Sequence, residues 1–573
     1  MDIRNVRNGD PIPVMNYSDQ PYVVKTDDGG WLMVVTTGIG EEGSRGQHIT
    51  SAKSFDCGKT WSDPVCVESP DSPESSYAVL YRTDFGRIYC FYNYNAENRR
   101  FVLSDPGTLN GGKSFRVDSQ GSFVYKYTDD NGLTWSDRRY DIPMRIFDVD
   151  RNNPYGGKVL YFWNVGKPFT LKNSVYVPLY KIGGLKNTFM YNTEGVLLKC
   201  DNINSEKDAS KLRWETLPDG ENGIKVPREI SEISEEHSFV TLSDGSIFCV
   251  FRTVSGSPYC SYSRDGGHTF CPPEKMTYAD GRAMRHPRAA NFIWKCSNGK
   301  YLYWYHNHGG KGYDDRNPVW ISGAVEYAAS DGIRLKFSQP EILLYDKDVM
   351  IRMSYPDMIE QNGEYYFTET QKNVARTHRA DKSLIEGLWS QFDADSAVTK
   401  HAAVLKNGDA MPTLSPFIER DLSYTDNRSK DVCKGFSICI DAELDKSGVL
   451  FSTFDNERKG MNAVFDGEKI VFTMSDARRT CCFYSDKQPL SAKGHHKITI
   501  QVDAGPRIVS MITDGRLCDG ADERQFGYGW FDRGMISANG AKNIFISDSV
   551  KSFELFTEML TNSQACILQN KHG

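Results

Sequence analysis

From residue 15 to about residue 400, the chain alternates short apolar and aromatic runs with tight polar turns. Two such pairs are 238–242 with 246–252 and 291–296 with 301–306, which flank Asp-Gly and Asn-Gly turns. Helical spacing is scarce here, whereas short apolar runs bounded by turn residues are typical of β-hairpins. The pattern predicts an all-β fold, and the 12% aromatic residues and 49 glycines agree with many short strands and tight turns.

A motif repeats within this pattern. The segments SFDCGKTW (54–61), TDDNGLTW (128–135) and SRDGGHTF (263–270) share the form S/T-x-D-x-G-x-T-W/F. In such a turn the aspartate can accept backbone N–H bonds, the glycine can adopt a backbone conformation closed to other residues, and the aromatic ring can pack between sheets. An internal repeat of this kind indicates a repeat architecture.

The motif resembles the Asp box of sialidase-like β-propellers. This resemblance implies that each box joins the third and fourth strands of a blade, on the face away from the active site. With degenerate copies near 201–214 and 330–337, a six- or seven-bladed propeller is expected, its seventh blade formed by the N-terminal segment and 400–420. The six recognisable blades are predicted at about 18–68, 75–145, 160–222, 234–278, 286–345 and 352–400.

After about residue 425 a second series of strand-like runs begins. It resembles the laminin-G or lectin-like jelly roll that accompanies many carbohydrate-active propellers. We therefore expect a catalytic propeller over 1–422, followed by a β-sandwich over 423–573 that acts as a binding or packing module.

Composition excludes several classes of partner. The 573 residues carry a net charge of −7 without a basic block, so neither nucleic acid nor a charged membrane surface is expected as a partner. No apolar run is long enough to span a membrane, and the first residues lack the apolar core of a signal peptide. The 14 cysteines form no CxxC pair and are expected to be mostly buried small hydrophobes.

Three segments at the predicted channel resemble the catalytic segments of sialidases. In blade four, Glu236 opens the first strand and Arg252 closes the second; Tyr355 matches the nucleophile in blade six, whose later Glu369 matches a supporting glutamate; Arg316 matches a substrate-binding arginine in blade five. A Tyr–Glu pair is a workable nucleophile because the carboxylate can take the phenol proton, and arginines bind a sugar carboxylate bidentately.

The chain departs from sialidases at the start of blade one. Sialidases carry a substrate-binding arginine there in an Arg-Ile-Pro motif, whereas this chain has Asp19-Gln20-Pro21. The remaining residues of the predicted active face resemble the propeller polysaccharide lyases, including ulvan lyases and lyases of rhamnose–glucuronate linkages. These residues are His48, Tyr77, Asn164, Lys167, His286, Arg288, His306 and His308.

A lyase must neutralise the C5 carboxylate of a uronate, remove the C5 proton and protonate the leaving O4. Arg252 or Arg288 could neutralise the carboxylate, a histidine or tyrosine could be the base, and Tyr355 or Tyr77 the acid. The predicted catalytic residues are His48, Glu236, His237, Arg252 and Tyr355. The predicted substrate-binding residues are Tyr77, Asn164, Lys167, Arg288 and Arg316.

His286, His306 and His308 could hold a structural zinc or calcium ion, since imidazoles are zinc ligands and the related lyases hold zinc with histidine and cysteine. Cys296 is a poor fourth ligand because the hairpin places it at the opposite end from His306. No organic cofactor is expected.

The leading hypothesis is a polysaccharide lyase that cleaves a uronate-containing polysaccharide or oligosaccharide by β-elimination. The alternatives are an exo-glycosidase of the sialidase superfamily and a non-catalytic glycan-binding propeller. The resemblance implies a secreted or periplasmic protein.

Overall fold

A computed structural model of the protein describes residues 2–105, 107, 111–186, 189–419 and 432–570. Its fold is all-β, as predicted, and the described part of the first domain forms six antiparallel sheets. The strands of the first three blades are Tyr17–Lys25, Trp31–Gly38, His48–Ser54 and Val65–Cys66 (blade one); Ser75–Arg82, Ile88–Tyr94, Ser122–Thr128 and Tyr140–Asp141 (blade two); and Phe162–Trp163, Phe169–Leu171, Ser174–Lys186, Phe189–Cys200 and Trp214–Leu217 (blade three).

The other three blades repeat the same order of strands. They are Glu235–Thr241, Ile247–Arg252, Tyr259–Ser263 and Glu274–Lys275 (blade four); Phe292–Lys295, Tyr301–Tyr305, Val319–Ala329, Gly332–Phe337 and Glu341–Leu344 (blade five); and Ser354–Gln361, Glu364–Thr370 and Ala375–Arg379 (blade six). The described propeller therefore has six blades, rather than the seven that the sequence also allowed.

The N-terminal segment closes the ring rather than building a seventh blade. Asp10–Pro11 pairs with Ala375–Arg379 as the outer strand of blade six. This pairing joins the two ends of the propeller in one sheet and removes open sheet edges. The helices and 3-10 turns are short: Val6–Asn8, Val117–Ser119, Asp148–Arg151, Ala209–Lys211, Lys382–Ser390 and Asn562–Asn570.

Each of the three clear Asp boxes joins the third and fourth strands of its blade, as predicted. In the second box, Asp130 accepts hydrogen bonds from the backbone N–H and the hydroxyl of Thr134 at 2.9 and 2.6 Å. Gly132 has a φ of 89°, and Trp135 donates from Nε1 to the Ser51 hydroxyl of blade one at 3.0 Å. The box is therefore a structural turn whose aromatic ring contacts the neighbouring blade.

The C-terminal domain is a sandwich of two antiparallel sheets. Their apolar faces share one core, in which the rings of Phe451 and Phe553 are 5.0 Å apart. One sheet contains Ala403–Val404, Phe436–Glu443, His495–Asp503, Ile508–Thr513, Arg516–Leu517, Gly529–Trp530 and Val550–Phe556; the other contains Gly448–Ser452, Lys459–Phe465, Ile470–Asp476, Thr480–Tyr484 and Phe545–Ile546. The resemblance of this domain to laminin-G modules stays a prediction.

Two further antiparallel strand pairs lie outside these sheets, Val102–Leu103 with Lys113–Ser114 and Ile418–Glu419 with Val432–Cys433. Among the described residues, no helix is long and apolar enough to cross a membrane.

Candidate active site

The first strands of blades one, two, four and six share a distortion at the same place. Their pairing with the second strand shifts register near the strand start. At each shift one non-glycine residue has a left-handed backbone: Gln20 (φ 52°), Tyr77 (60°), Glu236 (56°) and Tyr355 (47°). Bulges re-aim side chains and are frequent beside active sites. Here they direct Glu236 and Tyr355 into a common cavity.

This cavity has a volume of about 290 Å³ and lies at the blade starts and second-strand ends. Its wall is unusually rich in positive charge for so small a space. The cationic residues are Arg116, Arg252, Arg288, Arg316, Arg352 and Lys372, the acidic ones are Glu42 and Glu236, and the aromatic ones are Trp163, Tyr180, Phe189, Tyr313 and Tyr355.

Tyr355 and Glu236 form a hydrogen-bonded pair in the cavity wall. The Tyr355 hydroxyl donates to Glu236 Oε1 at 2.9 Å, and both residues are buried. Burial raises the pKa of Glu236 although Arg252 opposes this shift. Burial and the neighbouring Glu236 charge also raise the pKa of Tyr355. The carboxylate is thus a base in direct contact with the phenol proton.

Arg252 lies between two buried glutamates. Its Nη1 is 2.9 Å from Glu236 Oε2, and its Nη2 is 2.8 Å from Glu235 Oε2. Glu235 is also paired with Arg288, at 2.7 Å. Arg252 therefore links the base of the Tyr–Glu pair to a fixed ion network, and much of its charge is already neutralised.

Arg316 differs from the other cavity arginines. Within the described parts of the chain, no carboxylate lies within 4.0 Å of its guanidinium, which donates instead to the Ser354 hydroxyl (2.6 Å) and to the backbone oxygens of Tyr313 (2.8 Å) and Arg288 (3.3 Å). Burial lowers the pKa of Arg316, and the charge of Arg252 adds to that shift. A buried cation without a counter-charge is a strong binding point for an anionic ligand.

Lys372 places a further cation in the cavity wall, beside the Tyr355 ring. It follows the second strand of blade six, has a φ of 74°, and places Nζ 4.7 Å from the centre of the Tyr355 ring. Its Nζ contacts Asp19 Oδ2 at 2.6 Å and Glu42 Oε1 at 3.2 Å. The cation beside Asp19 of blade one is thus supplied by blade six.

The two carboxylates that share Lys372 shift in opposite directions. Burial, together with the nearby Glu42 charge, raises the pKa of Asp19 to about 6 although Lys372 opposes the shift. Burial would also raise the pKa of Glu42, but Lys372 and Arg116 together lower it to about 2. The difference arises because Glu42 has a second cationic neighbour, whereas Asp19 is fully buried.

Five of the predicted site residues line the cavity: Glu236, Arg252, Arg288, Arg316 and Tyr355. Sequence reasoning missed Glu42, Arg116 and Lys372 as members of this wall. Glu42 and Lys372 both follow the second strand of a blade, so the rule that second-strand ends reach the active face could have found them. Arg116 lies in the long excursion between the second and third strands of blade two, for which the sequence gives no register.

Two of the predicted substrate-binding residues lie behind the cavity wall. The Tyr77 ring stacks on Trp163 at 4.0 Å, and its hydroxyl contacts Glu42 at 3.2 Å and Asp118. Asn164 donates to the Tyr77 backbone oxygen at 3.1 Å. These residues therefore support the wall rather than line it.

Four other predicted residues do not line the cavity. His48 bonds through Nδ1 to the Gly46 backbone oxygen at 2.9 Å. His237 stacks on Phe251 at 4.4 Å, and burial lowers its pKa to about 3. Lys167 pairs with the buried Asp357 at 2.7 Å. Glu369, expected to support the site, contacts His378 at 3.2 Å instead. All have structural partners that account for them.

The predicted metal site is not supported by the geometry. In the portion of the chain that the structure covers, the three histidines do not bring their ligand atoms together. His286 and His308 bond through Nε2 to the backbone oxygens of Ala289 and Asp315, each at 2.8 Å. His306 contacts the Pro318 oxygen through Nδ1 at 3.3 Å. Each ring is held by backbone groups, so the cluster is part of the blade-five core.

Comparison with known proteins gives matches among solved structures alone; no family model and no curated protein matches. A leech intramolecular trans-sialidase is 13% identical with a TM-score of 0.45, covering 66% of this chain and 71% of its own. An intramolecular trans-sialidase from Ruminococcus gnavus is 15% identical with a TM-score of 0.44, covering 65% and 96%. A Trypanosoma rangeli sialidase is 11% identical with a TM-score of 0.43, covering 100% and 98%.

The fold is a sialidase-like β-propeller. Its strand order and its Asp boxes establish this within the chain itself. The arrangement of the propeller brings a Tyr–Glu pair, Arg316 and the Lys372–Glu42 ion pair into one cavity. This set of groups is suited to nucleophilic and acid–base chemistry on an anionic ligand.

Proposed function

We propose that this protein is a glycosidase that hydrolyses the linkage of a carboxylate-bearing sugar, with Tyr355 as the nucleophile. The observation that carries the proposal is the 2.9 Å hydrogen bond from Tyr355 to Glu236, in a cavity that also contains the unneutralised Arg316. A tyrosine activated by an adjacent base can form a covalent intermediate, and Arg316 supplies the counter-charge for the sugar carboxylate.

In the first step, Glu236 takes the Tyr355 phenol proton while the phenolic oxygen attacks the anomeric carbon. The bond from that carbon to the aglycone oxygen breaks, and the oxygen takes a proton from Glu42. In the second step, water attacks the anomeric carbon and gives a proton to Glu42. The bond to Tyr355 then breaks, and the phenolic oxygen recovers its proton from Glu236.

Glu42 must carry a proton when the aglycone leaves. Without substrate, Lys372 and Arg116 keep it ionised, with a pKa lowered to about 2. A sugar carboxylate bound at Arg316 adds a negative charge to the same small cavity, and a nearby like charge raises the pKa of Glu42. Protonation of Glu42 is thereby coupled to binding of an anionic substrate, and this coupling favours charged over neutral sugars.

Polysaccharide lyase activity is the second candidate. It is favoured by the same cationic wall, since Arg316 and Arg288 could also neutralise the C5 carboxylate of a uronate. His48 and His237 lie outside that wall, so proton abstraction would fall to Tyr355. The hydrolase mechanism is preferred because it gives both members of the Tyr355–Glu236 pair a role, Tyr355 as the nucleophile and Glu236 as its base.

The test combines two classes of substrate. The protein is incubated with aryl glycosides of sialic acid and glucuronic acid, and separately with a uronate-rich polysaccharide whose unsaturated products absorb ultraviolet light. Release of the aryl alcohol with water incorporated in the sugar supports the proposal. An unsaturated uronate with intact aryl glycosides supports the lyase, and saturable binding without turnover supports the glycan-binding propeller.

The covalent step is tested with fluorinated glycosyl fluorides of the same acidic sugars. Peptide mass spectrometry should find the sugar attached to Tyr355. Tyr366→Phe is a matched control, because Tyr366 lies on the second strand of the same blade, where it packs on Trp31 outside the cavity. Labelling of another residue, with full activity in Tyr355→Phe, would remove Tyr355 from this role.

A further inference from the structure

The turn that carries Arg316 contacts the second domain. Residues 306–317 connect Tyr301–Tyr305 to Val319–Ala329 in blade five and supply Tyr313 and Arg316 to the cavity. Nε of Arg316 donates to the Tyr313 backbone oxygen at 2.8 Å, so the guanidinium is oriented by its own turn. Displacement of this turn therefore moves the unneutralised cation.

The turn has a strained backbone next to Arg316. Asp315 has a φ of 60°, in the left-handed region, where a non-glycine residue persists when its surroundings fix it in place. One restraint comes from within the turn, where His308 Nε2 contacts the Asp315 backbone oxygen at 2.8 Å. Within the propeller, the Arg288 N–H also donates to the Gly312 backbone oxygen at 2.9 Å, and Arg352 Nη1 lies 3.2 Å from Asp314 Oδ1. Further, outer restraints come from the second domain.

These outer restraints belong to the sandwich. Gln525 Nε2 donates to Asp315 Oδ2 at 2.9 Å, and the Gly309 N–H donates to the Gln525 backbone oxygen at 2.8 Å. The ring of Phe526 packs on His308 at a centroid distance of 4.9 Å. The sandwich thus contacts the turn at both of its ends.

The sandwich segment is itself fixed to both domains. Arg524 donates to Asp486 at 2.6 Å within the sandwich. Arg285 of the propeller donates to the backbone oxygens of Asp519 and Arg524 at 2.5 and 2.7 Å. A segment anchored on two sides is a rigid support, so the restraint on Asp315 does not depend on a flexible loop.

We propose that Gln525 and Phe526 of the sandwich are positioning residues that hold Arg316 in its anion-binding place. The role of Arg316 toward substrate rests on the proposed function, whereas the restraint of the turn by the sandwich does not. The second domain is then a structural part of the active site, whether or not it also binds a glycan itself.

The test uses the full chain with Gln525→Glu, which places two carboxylates against each other at Asp315. Hydrogen exchange of a peptide spanning 306–317 should accelerate, and KM for an acidic aryl glycoside should rise about three- to tenfold with kcat changed less, as expected for loss of one hydrogen bond. Adding Asp315→Asn restores a donor–acceptor pair, and asparagine tolerates a left-handed backbone. The double variant should recover both properties.

Gln488→Glu is the matched control, since Gln488 is an exposed glutamine of the same domain that bonds to Ser491 within its own turn. It should leave exchange and KM unchanged. Unchanged exchange in Gln525→Glu, or faster exchange without a rise in KM, overturns the positioning role. If the unaltered protein hydrolyses no acidic glycoside, the proposed function fails. The positioning role is then decided by hydrogen exchange of 306–317 together with the affinity for the free sugar acid, which should fall in Gln525→Glu.

Discussion

Tyr355 donates a 2.9 Å hydrogen bond to Glu236, although the two residues belong to blades six and four and lie 119 positions apart. Both stand at the bulge that opens the first strand of their blade, with φ angles of 47° and 56°. The same local distortion in two repeats thus aims two different side chains at each other across the channel. Strained positions of this kind cluster at functional sites.

Tyr355→Phe removes the nucleophile and one hydrogen bond but little volume. We expect kcat for an acidic aryl glycoside to fall by at least about a thousandfold, because phenylalanine has no oxygen with which to form the covalent intermediate. The melting temperature should stay close to that of the unaltered protein. Activity within tenfold of the original would show that Tyr355 is not the nucleophile.

Glu236 determines the acidic limb of the pH profile. It acts as a base when ionised, and its pKa lies above the ordinary glutamate value, so kcat/KM should fall as the pH decreases through that raised pKa. Glu236→Gln should lower kcat by about 10²–10⁴-fold and abolish this limb. A profile with an unchanged acidic limb in the variant would assign the limb to another group.

Arg316 and Arg252 should respond differently to substitution. Arg316→Gln removes a cation that has no carboxylate partner in the described part of the chain, so KM should rise about tenfold or more while the protein remains folded. Arg252→Met leaves Glu235 and Glu236 with less neutralisation in a buried place, which should destabilise the fold by about 3–5 kcal/mol. Urea unfolding and steady-state kinetics of both variants check the contrast.

Four buried histidines should make the fold sensitive to acid. Burial lowers the pKa to about 3 for His237 and His286, to about 4 for His308, and strongly for His306. The unfolded chain binds protons at these sites near pH 6.5, whereas the folded chain does not, so stability is lost as the pH falls below 6.5.

Each histidine should then cost about 1.4 kcal/mol at pH 5.5. Asp19 and Glu236, whose pKa values are raised, act in the opposite direction and reduce the sum. Urea unfolding at pH 7.5 and 5.5 measures the difference. A free energy of unfolding that is equal at the two values, or greater at pH 5.5, would contradict this account.

Gly132 tests the Asp box as a structural turn. Its φ is 89°, and an added Cβ would lie 2.3 Å from a methyl carbon of Leu32 in blade one. Gly132→Ala should destabilise by about 1–2 kcal/mol from backbone strain plus about 1–3 kcal/mol from overlap. Gly29→Ala is the control, since it has a similar φ of 82° with open space around it, and should show the strain alone. Equal losses would exclude the inter-blade contact.

Much of the propeller could be predicted because its signals are local. An apolar run bounded by a glycine turn specifies a hairpin within a few residues, and the Asp box specifies its own turn through Asp130 and Thr134. Glu236, Arg252 and Tyr355 were found because they stand at fixed places in the repeat. His48, His237 and the blade-five histidines were predicted from their residue type. They do not line the cavity, because the fold buries them elsewhere.

The sequence by itself determined the repeat, a propeller of six or seven hairpin-rich blades, and the aspartate at position 19 near the start of blade one. Tertiary structure alone decided which cation lies beside Asp19, because Lys372 reaches it from a position 353 residues away. It also decided that, among the described residues, Arg316 has no carboxylate within 4.0 Å, and that the sandwich borders the turn of Arg316. The electrostatic interaction between charged groups in a cavity depends on the distances between segments that are far apart in the chain. Tertiary packing, rather than local sequence, fixes these distances to within a few ångströms.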